Sequence, residues 1–149
     1  MRYRYTTDIN TSAEYLFECL TTTAKLKEWM AGLVAMEPSR IKKRKLKVRQ
    51  QLIFKDEKGK LIIKEHVIAF ESNKALGLKW ESDQMEVEVQ YEIHPAKHNA
   101  LCRLHVQAKA TFFPKYLNLL SFLIGSVLKR QWTEDLRRLK IFAEKSASN

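Results

Sequence analysis

The chain has 149 residues, 45% of them hydrophobic and 30% charged, with a formal net charge of +10. That length suits one domain with a core of ordinary size, and the balance excludes both a disordered chain and a membrane-embedded one. Four glycines and three prolines leave little room for linkers, and no period repeats, so residues 1–149 are read as a single domain.

The positive charge is unevenly spread. Arg40, Lys42, Lys43, Arg44, Lys45, Lys47 and Arg49 fall within one short segment. Such a run meets phosphates on an anionic membrane or on nucleic acid, or it decorates a solvated loop and the outer face of an edge strand. No zinc-finger or RNA-binding-sheet motif accompanies it, so nucleic acid is not an expected partner. Cys19 and Cys102 lie far apart inside apolar patterns, without a Cys-x-x-Cys pair, and read as buried structural thiols. The opening Met1-Arg2-Tyr3-Arg4-Tyr5 lacks the apolar core of a signal peptide, which makes a cytoplasmic, reducing location the expectation.

Arg2 to Ile9 alternates, with Tyr3, Tyr5, Thr7 and Ile9 on one face, and reads as a first strand. Thr11 with Glu14 forms a capping box before Tyr15, Leu16, Phe17 and Leu20, so a short amphipathic helix starts near Ser12. Thr22 or Thr23 caps a second short helix carrying Leu26, Trp29 and Met30, and Gly32 suits its exit. Strands then follow over Leu33 to Glu37, Leu46 to Lys55, Lys60 to Phe70, Leu76 to Glu81, Met85 to His94 and Leu101 to Phe112. Turn-forming residues separate them: Asp56-Glu57-Lys58-Gly59, Ser72-Asn73, Ser82-Asp83 and Pro95 to Asn99.

Cross-strand matching gives a provisional register. Pairing Asp56 with Lys60, the three-residue loop that goes with a bulge, sets Gln50 against His66, Leu52 against Lys64, Val48 against Ile68 and Phe54 against Ile62. A two-residue turn at Ser82-Asp83 sets Trp80 opposite Met85 and Leu78 opposite Val87. Pairing Ile93 with Cys102 places Tyr91 against Leu104 and Val89 against Val106, with Glu92 facing Arg103 and Glu86 facing Lys109 outside.

Pro114 is a suitable first helical residue. From Lys115 to Lys145, Leu117, Leu120, Ile124, Leu128, Trp132, Leu136, Leu139 and Phe142 recur at three- and four-residue spacing, which predicts one long amphipathic helix. Leu119, Phe122 and Leu123 add a second apolar surface, in a run too short to span a bilayer. That surface fits a dimer seam, a cavity mouth or packing on the short helices, so monomer and homodimer both stay open. Gly125 is a possible kink. The elements predict an α+β helix-grip fold: a curved antiparallel sheet of six or seven strands, with two short helices near the N-terminus, wrapped around a long C-terminal helix.

Ile9-Asn10-Thr11-Ser12-Ala13-Glu14-Tyr15-Leu16-Phe17, then Leu26-Lys27-Glu28-Trp29-Met30, resembles the start of the polyketide cyclase/dehydrase and lipid-transport branch of the START and birch-pollen-allergen-like superfamily, also called SRPBCC. Glu134-Asp135-Leu136-Arg137-Arg138-Leu139-Lys140 is similar to the closing helix of that family, and the order of elements matches it over essentially the whole chain. The family's glycine-rich loop is absent from the basic segment, so no phosphate cradle is expected there.

The resemblance implies a ligand cavity between sheet and helix. The inward residues then expected to line it are Leu52, Phe54, Ile68, Phe70, Leu78 and Trp80 from the first strands and Val87, Val89, Tyr91, Leu104, Val106 and Phe112 from the later ones. Trp29, Met30, Phe113, Leu117, Leu120 and Ile124 join from the helices. Gln50, Lys64 and His66 share the predicted inward face. A buried Lys or His is costly unless paired or neutral. Either they form a polar end that holds a head group, or that end opens to water, or the hairpin register is one residue off, which turns Lys64 and His66 outward and brings Glu65 in.

Three functional expectations follow: binding or transport of a lipid, polyketide or aromatic compound; a cyclase or dehydratase using His66 as acid or base, with Tyr91 or Gln50 orienting a carbonyl; and a peripheral lipid-handling protein docking on an anionic membrane through residues 40–49. Binding is preferred. No cofactor is implied, and His66, His94, His98 and His105 lack metal-ligand spacing.

Overall fold

The computed structural model describes residues 1–57, 59–96, 101–113 and 121–147. The elements run β1 (Arg2–Ile9), α1 (Ala13–Thr21), α2 (Thr23–Trp29), β2 (Leu33–Glu37), β3 (Arg49–Asp56), β4 (Gly59–Glu71), β5 (Ala75–Glu81), β6 (Met85–Pro95), β7 (Cys102–Phe112) and α3 (Ser121–Ala147). The seven strands form one antiparallel sheet in the order β1-β7-β6-β5-β4-β3-β2. With α3 across its concave face, this is the α+β helix-grip arrangement that the alternating strands and closing amphipathic helix predict. Pro114, Leu117, Leu119, Leu120 and His98 lie outside the described residues.

Local chemistry sets the element ends. Ser12, not Thr11, is the N-cap of α1: its Oγ accepts from the Tyr15 N–H at 3.1 Å. Gly32, at φ +78°, makes the turn from α2 into β2, a conformation that favours glycine. α3 is about 40 Å long at 1.5 Å per residue and continues through Gly125, where a Cβ would lie 2.6 Å from Met1 Sδ. Glycine there lets the helix pass close to the first residue of the chain. The helix packs chiefly on β1, α1 and α2. Tyr3 meets Trp132 edge-on at 5.5 Å and its hydroxyl lies 2.8 Å from Thr133 Oγ1; one end of β1 away, the Asn10 N–H donates to Glu144 at 2.9 Å. Cys19 and Cys102 are buried free thiols; burial pushes Cys19 up to about 11 and raises Cys102 as well.

The observed registers correct three of the expected ones. Asp56 pairs with Gly59, so Gln50 faces Glu65, Leu52 faces Ile63 and Arg49 faces His66. This odd shift reverses the face of β4. Ile63, Glu65 and Val67 point inward, and Lys64 and His66 sit on the outer face. Ile68 follows the same alternation outward, 39% exposed, and a bulge between Val67 and Ala69 then returns Phe70 to the core edge, where it meets Phe17 at 5.2 Å. The other two shifts are even. Trp80 pairs with Val87 and Leu78 with Val89; Tyr91 pairs with Val106 and Val89 with Ala108. Faces survive such a shift, so these side chains stay inside although their partners change. Outside, Glu88 and not Glu86 lies opposite Lys109, and Glu92 faces His105. Arg103 bonds Asp8 of β1 at 2.9 Å.

What holds the inverted face of β4 is an ion pair drawn from the basic run. Residues 42–44 run beside the α1–α2 junction: the Thr23 N–H donates to Lys42 O at 2.9 Å and the Arg44 N–H to Thr21 O at 2.8 Å. Arg44 is 1% exposed. Its guanidinium meets Glu65 at 2.5 and 3.1 Å and donates to Leu20 O at 2.8 Å, while Trp80 Nε1 donates to Glu65 at 2.9 Å. Arg44 therefore leaves the anionic-surface set; Arg40, Lys42, Lys43, Lys45, Lys47 and Arg49 are exposed as expected. Removing one partner of a buried pair strands the other charge, at a cost of about 3–5 kcal/mol. Glu65→Gln should lose that much in urea unfolding. The double change Arg44→Met with Glu65→Leu should lose clearly less, because no charge is left uncompensated.

Candidate functional site

Helix α3 is anchored over the β1 edge, and the middle of the sheet falls away beneath it. Between them lies a cavity of about 510 Å³. Its floor is built by alternate residues of the strands: Tyr3 of β1, Val106 and Ala108 of β7, Val89 and Tyr91 of β6, Trp80 of β5, Ile63 of β4, and Leu52 and Phe54 of β3. Trp29 to Gly32 close one side, and Leu128, Gln131, Trp132, Asp135 and Leu136 of α3 form the roof. The exposed border is the β3–β4 hairpin, through Lys55, Asp56, Gly59, Lys60 and Leu61, with Met85 nearby. A hollow of this size, walled by aromatic and aliphatic side chains with few polar atoms, has the usual character of a small-molecule site.

The expected lining residues divide. Trp29, Met30, Leu52, Phe54, Trp80, Val89, Tyr91 and Val106 border the cavity. Gln50, Leu78, Val87, Leu104 and Phe112 are buried in the core without lining it, and Phe70 and Ile124 are half-buried against that core. Phe113 is 39% exposed. Lys64 and His66 are on the outer side of β4, as is Ile68: of the three alternatives for Gln50, Lys64 and His66, the register one residue off is the one observed, and Lys64 and His66 form no polar end of the cavity. Glu65 occupies that place instead, already neutralised by Arg44. Gln50, beside it in register, is buried with both amide atoms lacking a protein partner.

Two polar groups in the wall matter most. Tyr91 is buried, and no hydrogen bond is made by its hydroxyl among the described residues; burial, more than the nearby charges, holds its ionisation far above the usual phenol range. Asp135 is 7% exposed. Its Oδ1 accepts from the Ala31 N–H at 3.2 Å and from Arg138 at 3.3 Å, while Oδ2 takes no hydrogen bond among the described residues. Burial raises its pKa from 3.8 to about 6, against the opposing pull of the Ala31 N–H and Arg138.

Asp135 was not among the expected site residues, although the sequence carries its signal. Seven residues bring an α-helix almost back to the same angle, so Asp135 shares the face of Leu128 within the stripe of Trp132, Leu136 and Leu139. Gln131 is found by the same reasoning from Ile124. Among the described residues no group of three potential metal ligands occurs, and no helix is long and apolar enough to cross a membrane.

No protein-family model and no curated protein matches the chain. Solved structures do. A protein from Mesorhizobium loti is 16% identical with a TM-score of 0.72, covering 97% of this chain and 98% of its own. A Staphylococcus aureus protein of unknown function reaches 0.76 at 10% identity, over 100% and 98%. DynU16, a putative protein of the dynemicin biosynthetic locus, is 16% identical with a TM-score of 0.72 over 98% of this chain and 48% of that one. At such identities the likeness is one of fold.

The raised pKa of Asp135 has a definite consequence for stability. The folded state holds this proton more tightly than the unfolded chain, so its contribution to stability falls as pH rises from about 4 to about 6. Asp135→Asn keeps an acceptor for Ala31 and removes the buried charge. The variant should gain on the wild type as pH rises through that window, read as a difference in Tm that opens between pH 4 and pH 6.5 and stays constant above. A variant that loses ground over the same window would show that the carboxylate is stabilised, not penalised, where it sits.

Proposed function

We propose that this chain binds a small, mainly apolar molecule in the hollow between its sheet and α3, as a carrier or binding protein of START-like, SRPBCC type. The observation that carries this reading is the 510 Å³ space itself, enclosed by Tyr3, Trp29, Trp80, Tyr91 and Trp132 together with aliphatic side chains. Water in such a space finds few hydrogen-bond partners, and apolar surface placed there leaves bulk solvent at about 25 cal/mol per Å². The element order shared with the family supports the same reading, and the likeness to solved structures supports the fold on which it rests.

Binding is preferred to turnover because the acid–base reading rested on His66. That residue is on the opposite face of the sheet from Tyr91 and does not border the cavity. The basic segment is also displaced from the opening. It enters β3 at Arg49, whereas the exposed border of the cavity begins at Lys55 and Asp56, roughly 20 Å further along the strand at 3.3 Å per residue. Direct delivery from a membrane held by residues 40–49 would have to cross that distance.

Val106 lies on the floor, paired with Tyr5 on one side and Tyr91 on the other. Val106→Trp should fill the hollow. Binding of the neutral fluorescent probe N-phenyl-1-naphthylamine should fall at least ten-fold, while His66→Ala, on the outer face, leaves it unchanged. Equal probe binding by wild type and a folded Val106→Trp protein would remove the cavity from the function.

A further inference from the structure

We infer that the cavity selects by charge: it takes an apolar molecule bearing one protonated amino group, held by Asp135 among aromatic rings, and it disfavours a carboxylate of the same length. The inference rests on the binding role just proposed and names the chemistry of its guest.

Three observations converge on it. Among the described residues that line the cavity, Asp135 is the charged side chain that is buried; Lys55, Asp56 and Lys60 stand on the exposed hairpin, where water screens them. The Asp135 carboxylate is only half used. Oδ1 takes both hydrogen bonds, from Ala31 and Arg138, and Oδ2 takes none among the described residues. Arg138 is itself 44% exposed along its side chain, so its charge is shared with solvent and compensates the carboxylate weakly. The neighbouring wall is aromatic: Trp132 lies one turn before Asp135, and Trp29 lies just before the Ala31 N–H that binds it. A carboxylate with one oxygen that no described residue engages, in a wall of low polarity shared with Trp29 and Trp132, is the arrangement that attracts an ammonium group. It repels a second carboxylate, and the described residues of the wall include no buried cation to receive one. Arg44, the buried cation nearby, is occupied by Glu65.

Among the described residues, the charged and titratable groups around Asp135 and the cavity are Arg138 and Glu134 on its own helix, Lys55, Asp56 and Lys60 on the hairpin, and Tyr3 and Tyr91 from β1 and β6. Burial without full compensation leaves Asp135 partly protonated near pH 6, so the selection weakens in acid. An ammonium guest opposes that protonation and its affinity should fall as pH drops below about 6. The overall field works against the inference, which sharpens the test. A chain of net charge +10 draws anions non-specifically, so a preference for the amine can come only from a local group.

The experiment is displacement of N-phenyl-1-naphthylamine from the full chain by dodecylamine, dodecanol and dodecanoate at pH 7.5 and 0.15 M salt, repeated at pH 5. Dodecylamine is expected to displace the probe at a concentration at least ten-fold below that of dodecanoate at pH 7.5, with the ratio shrinking several-fold at pH 5. In Asp135→Asn, checked for folding by its thermal transition, the ratio should collapse to about one or below, with dodecanol unchanged within two-fold. Equal or tighter displacement by dodecanoate in the wild type, or an Asp135→Asn protein that keeps the ratio, would overturn the charge selection while leaving a cavity that binds dodecanol. Failure of all three compounds, dodecanol included, would remove the cavity reading and this inference with it.

Discussion

The buried pair of Arg44 and Glu65 is the contact on which the rest of the architecture depends. A glutamate pointing inward from β4 cannot remain ionised in an apolar interior without a partner, and the partner comes from the loop after β2, 21 residues earlier in the chain and beside the junction of α1 and α2. The guanidinium ties three parts together: the loop after β2, the end of α1 through Leu20 O, and β4 with Trp80 of β5 through the Glu65 carboxylate. Because the side chains of a strand alternate, fixing Glu65 inside also fixes Ile63 and Val67 inside and Lys64 and His66 outside. One ion pair thereby decides which face of β4 the cavity meets.

The same contact explains what could and could not be read from the sequence. Apolar alternation reports the parity of a strand, and parity was legible nearly everywhere: Leu52, Trp80, Val89, Tyr91 and Val106 all face inward as the pattern requires. It does not report a shift of two, because charges also recur at every second position; Glu86, Glu88 and Glu92 offer Lys109 and Arg103 several equally good partners. The β3–β4 hairpin is the case in which parity itself is ambiguous. Residues 60–70 carry apolar side chains in both registers, Leu61, Ile63 and Val67 in one and Ile62, Ile68 and Phe70 in the other, and the bulge at Val67/Ala69 makes each register correct for part of the strand. What breaks the tie is a long-range charge. Within a run of seven similar basic residues, nothing local distinguishes Arg44 as the one that turns inward.

The hollow has a mechanical origin. A helix of 27 residues is nearly straight, whereas the sheet curves away from it. The helix is fastened along β1, by Tyr3 with Trp132 and Thr133 at one level and Asn10 with Glu144 at another. Contact at one edge of a curved surface implies separation from its middle, and the small residue Ala108 on the floor widens the gap that larger side chains would close. The family resemblance pointed to such a space; its shape follows from where the helix is anchored and from which face of β4 is presented.

The placement of charge follows from the same geometry. The face of helix α3 over the cavity runs from Leu128 to Leu136, and Asp135 on that face is largely cut off from bulk water. For an aspartate at position 135 the choices are partial protonation or the few donors within reach, and the structure supplies one backbone N–H and one exposed arginine. A leucine there would pack without any of this cost. The carboxylate is therefore a departure from what the core alone requires, on the wall of the cavity and opposite in sign to the chain's net charge of +10. Departures of that kind, polar where packing asks for apolar and opposite in sign to their surroundings, are where a binding role leaves its mark on a fold.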